Sequence, residues 1–240
     1  MSRETAIVIG VGPERGLGAQ LCRRFAAEGL HVLVAGRTRE KLDAVARAIR
    51  KDGGSAEAVV SDATSETDTQ ALFDHAGDTL SLAIYNAGNN TPGRIEDMDA
   101  AYFEQSWRVC CFGGFLFGRE AVRRMKPRGG GTLLFTGASA SLRGRPFFGA
   151  FNSSKAGLRT LAQAMAKEYA EDGIHVGHVV VDGAIGGEKI MKGLPQYAEK
   201  LGEEGMISIE GIVDGYVFLH RQPRRAWSFE LDVRTSKETW

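Results

Sequence analysis

Short apolar runs alternate along this chain with longer segments in which apolar positions recur every third or fourth residue. Ala6 to Gly10, His31 to Ala35, Ala56 to Ser61, Leu80 to Tyr85, Thr132 to Thr136 and His175 to Val181 have the length and composition of strands. Leu17, Leu21 and Phe25 repeat at four-residue intervals, and Arg39 to Lys51 forms a second helix ended by Gly53-Gly54. A long helical region runs from about Asp99 to Met125. Another, from about Ala150 to Tyr169, places Leu158, Leu161, Met165 and Tyr169 on one face. A helix at about Ser208 to Leu219 and a last strand from Trp227 to Val233 close the pattern. Such alternation predicts a mainly parallel sheet with crossover helices. Gly129-Gly130-Gly131 makes a loop before the fifth strand, and no repeat or low-complexity linker interrupts the chain, so one domain over residues 1–240 is expected. Open sheets of this kind bind ligands beyond the carboxyl ends of their strands.

Composition narrows the function classes. At 240 residues, 43% hydrophobic and 25% charged, the chain has the make-up of a soluble globular domain. Thirty basic and thirty acidic residues cancel, so no global field draws it to nucleic acid or an anionic membrane. Cys22, Cys110 and Cys111 offer neither a disulfide framework nor metal-ligand spacing, which suits a reducing compartment. His175 and His178 fall on opposite faces of their strand, and no metal site is expected. Met1 to Thr5 leads straight into a strand too short for a signal core, and no apolar stretch approaches a bilayer span. These features predict a cytoplasmic protein without membrane or nucleic-acid partners.

Between the first strand and first helix lies Gly12-Pro13-Glu14-Arg15-Gly16-Leu17-Gly18. A glycine-rich turn there lets the backbone approach a pyrophosphate, which then lies at the positive end of the helix. The second strand ends at Gly36-Arg37-Thr38, with no acid to accept from a ribose 2′-hydroxyl and repel a 2′-phosphate. Gly36 leaves room, and Arg37 can give a forked, charge-assisted contact to phosphate. The alternative for Arg37 is a solvated surface charge. This arrangement favours NADP(H).

The glycine loop, Asn86-Ala87-Gly88 and Phe151-Asn152-Ser153-Ser154-Lys155 together resemble the short-chain dehydrogenase/reductase family, in order and spacing along essentially the whole chain. The resemblance implies a Rossmann-type doubly wound sheet of about seven strands with helices on both faces, and an oxidoreductase of small molecules that self-associates as a homodimer or homotetramer. It places Gly12, Glu14, Arg15, Gly16, Leu17, Gly18, Gly36, Arg37, Asp62, Ala63, Asn86, Ala87, Gly88, Lys155, Gly183 and Ile185 around the cofactor. Asp62 falls at the adenine and Lys155 at the nicotinamide ribose. Arg15 stands where the resemblance implies a second basic residue in NADP-preferring members; its alternative is likewise a solvated surface charge. The segment 185–207 corresponds to a variable substrate lid.

The family's catalytic motif is Tyr-x-x-x-Lys, and this chain departs from it. Phe151 stands at the tyrosine and cannot donate a proton. Ala138 stands at the serine thirteen residues earlier, with Ser139 next to it, and Cys110 aligns with the asparagine. The resemblance therefore implies either an oxidoreductase with an atypical proton donor or a cofactor-binding pseudoenzyme serving as scaffold or redox sensor. Ser139 is a candidate hydrogen-bond donor to a substrate oxygen, or a loop-capping hydroxyl. Asp182 is a candidate acid, or alternatively a turn-former or partner of the cofactor carboxamide. Arg143, Arg145, Phe147 and Phe148 lie near the expected substrate mouth and suit an aromatic or anionic ligand, a subunit interface or open surface.

Overall fold

A computed structural model describes residues 3–238. Seven strands form one sheet in the order β3-β2-β1-β4-β5-β6-β7, and every neighbouring pair is parallel. The strands are β1 (Thr5–Ile9), β2 (His31–Gly36), β3 (Ser55–Val60), β4 (Leu80–Tyr85), β5 (Gly131–Thr136), β6 (Ile174–Asp182) and β7 (Glu230–Arg234). The order reverses between β1 and β4, which creates the crevice where an open α/β sheet receives its ligand. Helices α1 (Leu17–Ala27), α2 (Arg39–Lys51) and α9 (Ile209–Arg221) cover one face. The other is covered by α3 (Glu66–Ala76), α5 (Gly113–Met125) and α6 (Gly149–Tyr169). Strand interiors such as Ala6–Ile9 and Leu82–Tyr85 are buried at every position because both faces of the sheet are covered.

Observed boundaries differ from the expected ones for local reasons. β1 stops at Ile9 because Gly10 has φ 88°, and a Cβ there would collide with the Asn86–Ala87 backbone. The expected Asp99–Met125 helix is α4 (Ala100–Trp107), a wide π-turn over Arg108–Phe112, and α5. Tyr85 Oη donates to the Val109 carbonyl at 2.5 Å, and Gly113 passes too close to Tyr85 and Ala63 to carry a side chain. A hydroxyl from the sheet thus takes a carbonyl within the helix, a recognised cause of such bulges. The last strand starts at Glu230 instead of Trp227, whose indole stacks on His175 at 4.9 Å. The segment 185–207 contains α7 (Glu188–Gly193) and α8 (Pro195–Leu201). It is pinned where Ile185 pairs with Ile207 and where Glu188 N donates to Arg15 O at 3.0 Å. No helix among the described residues is long and apolar enough to cross a membrane.

Candidate active site

The crevice is lined by the turn after β1. Gly16 N donates to Pro13 O at 2.9 Å, and Gln20 Nε2 holds Glu14 O at 2.7 Å. Gly16 is the extended residue that opens α1, whose first turn has no acidic side chain, so the positive end of the helix is uncompensated. A Cβ on Gly12 would meet nothing within 4 Å, whereas one on Gly18 would press on Asn86 and Gly10. Gly12 therefore keeps the backbone open to a ligand, and Gly18 packs helix on strand. Leu17 is buried beneath.

Gly36 lies against the Val11 backbone, and exposed Arg37 follows it without a hydrogen bond or ion pair among the described residues. Arg15 is likewise exposed and makes no side-chain hydrogen bond there. Across the crevice, Asp62 Oδ1 accepts from Thr64 N and Oγ1 at 2.9 Å each. Its backbone N–H is fixed by Asp68, and Oδ2 has no hydrogen-bond partner among the described residues. Buried Ala63 sits beside it. Gly183 (φ 150°) and Ile185 follow β6 on the far side of the crevice. This donor set fits a dinucleotide: open backbone at a helix N-terminus, an exposed arginine in that turn and another after β2, and a carboxylate oxygen after β3 without a partner among the described residues.

Asn86 joins the cofactor side to the catalytic side. Its Nδ2 donates to Gly10 O at 3.2 Å, and its Oδ1 accepts from Thr136 Oγ1 at 3.1 Å. Tyr216 Oη bonds Thr136 Oγ1 at 2.6 Å, so the ends of β1, β4 and β5 are tied into one chain of hydrogen bonds. Thr136 and Tyr216 carry no motif, and sequence reasoning missed both.

Thr136 O also accepts from Lys155 Nζ at 2.7 Å. Lys155 is 4% exposed, and burial lowers the pKa of its ammonium. It shares a face of α6 with Phe151, whose ring centroid lies 5.9 Å from Nζ. On the crevice side, a Cβ on Gly88 would lie 3.6 Å from Nζ and 3.8 Å from Cys110 Sγ, with Ala87 packed behind. Cys110 sits within the π-turn, and its thiol points to Asn89 Oδ1 at 3.5 Å. Phe151, Lys155, Cys110 and Gly88 therefore converge, while Ser139, only 7% exposed, begins the short turn after β5.

Asp182 differs from its candidacy as an acid. It is fully buried, and both its oxygens accept from Arg143 Nη2 at 3.0 Å, with Arg234 Nη2 3.7 Å from Oδ2. Asp182 is thus engaged by two guanidinium groups, in the planar geometry that an arginine fork offers a carboxylate. Its geometry is that of an anchor for the loop after β5.

His175 and His178 do lie on opposite faces, and the described residues contain no cluster that could hold a metal ion. His178 fits beneath Gly137, where any side chain would strike its ring. His178 Nδ1 lies 3.0 Å from Glu230 Oε2, and Arg159 clamps that carboxylate at 2.6 and 2.9 Å. Burial pushes the imidazole pKa down to about 4. Between pH 6.5 and 4 the unfolded chain takes up a proton that the folded protein refuses, so stability falls as pH falls through that window. The full loss is of order 3 kcal/mol. His178→Gln should flatten this decline, read as urea midpoints at pH 7 and pH 4.5; an unchanged decline would show that His178 does not cause it.

Comparison with known proteins agrees with this geometry. The short chain dehydrogenase family model matches residues 4–187. Sorbitol-6-phosphate 2-dehydrogenase of Escherichia coli is 33% identical over 205 residues, covering 83% of this chain and 78% of that protein. The uncharacterized oxidoreductase YuxG of Bacillus subtilis is 34% identical over 195 residues, covering 79% of this chain, which spans only 28% of YuxG. A short-chain dehydrogenase structure from Rhodopseudomonas palustris superimposes with a TM-score of 0.83 at 34% identity, covering 98% of this chain and 99% of that one. The chain belongs to the short-chain dehydrogenase family, whose members are oxidoreductases that bind a nicotinamide cofactor.

Proposed function

We propose that this chain is an NADP(H)-dependent oxidoreductase that interconverts the carbonyl and alcohol forms of a small molecule without a phenolic acid. The observation that carries the cofactor preference is Arg37, exposed and, among the described residues, unpaired directly after buried Gly36. The cofactor when bound supplies the hydride. Glu14, Arg15, Gly16, Leu17 and Gly18 form its pyrophosphate turn, Asp62 and Ala63 meet the adenine, and Gly183 and Ile185 flank the nicotinamide. Residues 185–207 act as the lid, resting on the glycine turn through Arg15 and Glu188. Ser139 holds the substrate oxygen. Lys155 supplies the proton, because burial makes its ammonium a stronger acid than a solvated one and no hydroxyl stands between it and the crevice at position 151. In the carbonyl-reducing direction the rate should fall as pH rises through the lowered Lys155 pKa.

The scaffold reading is not favoured, because the dehydrogenase family model matches residues 4–187 and a dehydrogenase relative covers 83% of the chain, and because a buried ammonium is retained in the crevice. Self-association as a homodimer or homotetramer belongs to the same proposal, through α4, α5 and α6, where Phe103, Trp107 and Phe115 are exposed. Three free cysteines fit a cytoplasmic setting.

Phe151→Tyr tests the proton assignment. A positioned general acid is worth about 10²- to 10⁴-fold over none. If Lys155 already provides one, adding the phenol should gain about tenfold or less in NADPH-dependent carbonyl reduction. Adding Ala138→Ser should raise the gain further, since proton donor and oxygen holder act as a unit. A gain above about 100-fold from Phe151→Tyr alone would show that the natural site lacks an acid of its own.

A further inference from the structure

The loop between β5 and α6 carries Arg143 and Arg145 over the end of β6. Arg143 is committed to Asp182. Arg145 is 49% exposed, and its guanidinium has one acidic neighbour among the described residues, Glu238 Oε1 at 3.6 Å. The same oxygen lies 3.7 Å from Arg143 Nη2. Both separations exceed hydrogen-bond reach, so Glu238 balances charge here without being bound tightly.

Glu238 comes from the tail after β7 and hangs over the crevice. A Cβ on Gly183 would stand 3.7 Å from its Oε2. The arginine loop is itself fixed: Asn152 Nδ2 donates to Arg145 O at 2.9 Å, and Gly93 N to Phe147 O at 2.8 Å. Phe147 is held at φ 69° with its ring exposed, a conformation that persists only where the surroundings impose it.

The register sets the distance to the reacting centre. Thr136, which holds Lys155, pairs with Val179 on β6. Asp182 lies three residues further on, about 10 Å along the strand. The Arg143–Asp182 pair thus lies beyond the level of Lys155, toward the carboxyl end of β6.

We propose that Arg145, with Arg143 beside it, binds the carboxylate of a substrate that carries its carbonyl at the remote end, and that Glu238 is the intramolecular anion this carboxylate displaces. The assignment rests on the oxidoreductase reading and names its substrate class as small oxo acids. A carboxylate is already seated between the two guanidinium groups, and arginine's planar fork matches that geometry. Glu238 gives selectivity, since a neutral ligand gains nothing by moving it.

The test compares 4-oxopentanoate with its methyl ester, which shares the carbonyl and lacks the charge. Binding is measured by calorimetry to the full-length protein in the presence of NADP+, which has no hydride to give the oxo group, so no turnover occurs. Wild type should prefer the acid. Glu238→Gln removes the competing anion and should strengthen acid binding by up to about fivefold, the factor expected for a partly exposed ion pair. Arg145→Gln should weaken acid binding to the level of the ester, and neither substitution should change affinity for the ester or for NADPH. Equal affinities for acid and ester in all three proteins would overturn the proposal, as would weaker acid binding by Glu238→Gln. The oxidoreductase reading fails separately, if the ester and acid both bind and neither accepts hydride.

Discussion

Lys155→Met should lower affinity for NADPH and NADH alike, by about 10- to 150-fold, the factor for one lost hydrogen bond from a charged donor. The expectation follows from where Nζ sits: buried, anchored on Thr136 O and directed between Gly88 and Phe151. If Lys155 meets the ribose, as proposed, it would do so with either cofactor, so the loss should not discriminate between them. The fold should survive. Removing a buried ammonium relieves its desolvation, which offsets the cost of about 1–3 kcal/mol for leaving the Thr136 carbonyl unpaired. Calorimetric titration with both cofactors, alongside thermal unfolding, checks the prediction. Unaltered NADPH affinity in a folded Lys155→Met protein would mean that the crevice does not receive the cofactor as described.

Arg37→Ala should have the complementary signature. Its loss should weaken NADPH by about 10- to 150-fold, since charge-assisted bonds to phosphate contribute roughly 1.5–3 kcal/mol. NADH, lacking the 2′-phosphate, should bind as before. Because Arg37 has no hydrogen bond or ion pair among the described residues, no compensating break in the fold confuses the result. Equal affinity of wild type for the two cofactors would instead leave Arg37 as a surface charge. Lys155 and Arg37 thus separate the general contact from the discriminating one.

How much of this was legible in the sequence depends on how far apart the interacting residues lie. Strands buried on both faces and helices with one apolar stripe announce themselves locally, and parallel pairing follows from their alternation. The glycine turn was legible because its function requires particular backbone freedom at adjacent positions. Helix α3 was overlooked, although Ser65 caps it through Asp68 N at 3.2 Å; its buried face is only Thr69, Leu72, Phe73 and Ala76. The π-turn was hidden because Arg108 to Phe112 reads as ordinary helix, and its cause is a tyrosine on β4.

The site divides in the same way. Phe151 and Lys155 lie one helical turn apart, so their convergence is a matter of periodicity. Asp182 looked like a spare acid because Arg143, thirty-nine positions earlier, gives no local sign of reaching it. The His178–Glu230–Arg159 cluster spans three elements and becomes visible only when β7 pairs with β6. Glu238 reaches the mouth from the opposite end of the chain. In each case the determining contact is tertiary, between side chains that local pattern leaves unremarkable.

The central claim, that this crevice transfers hydride despite lacking the tyrosine hydroxyl, is tested most directly with NADPH deuterated at nicotinamide C4. The protein is incubated with it and with 4-oxopentanoate and its methyl ester, and the alcohols formed are analysed by mass spectrometry. Deuterium should appear at the new carbinol carbon and be lost in Lys155→Met. Tight NADPH binding with no deuterium in any alcohol product would contradict it and favour a cofactor-binding scaffold.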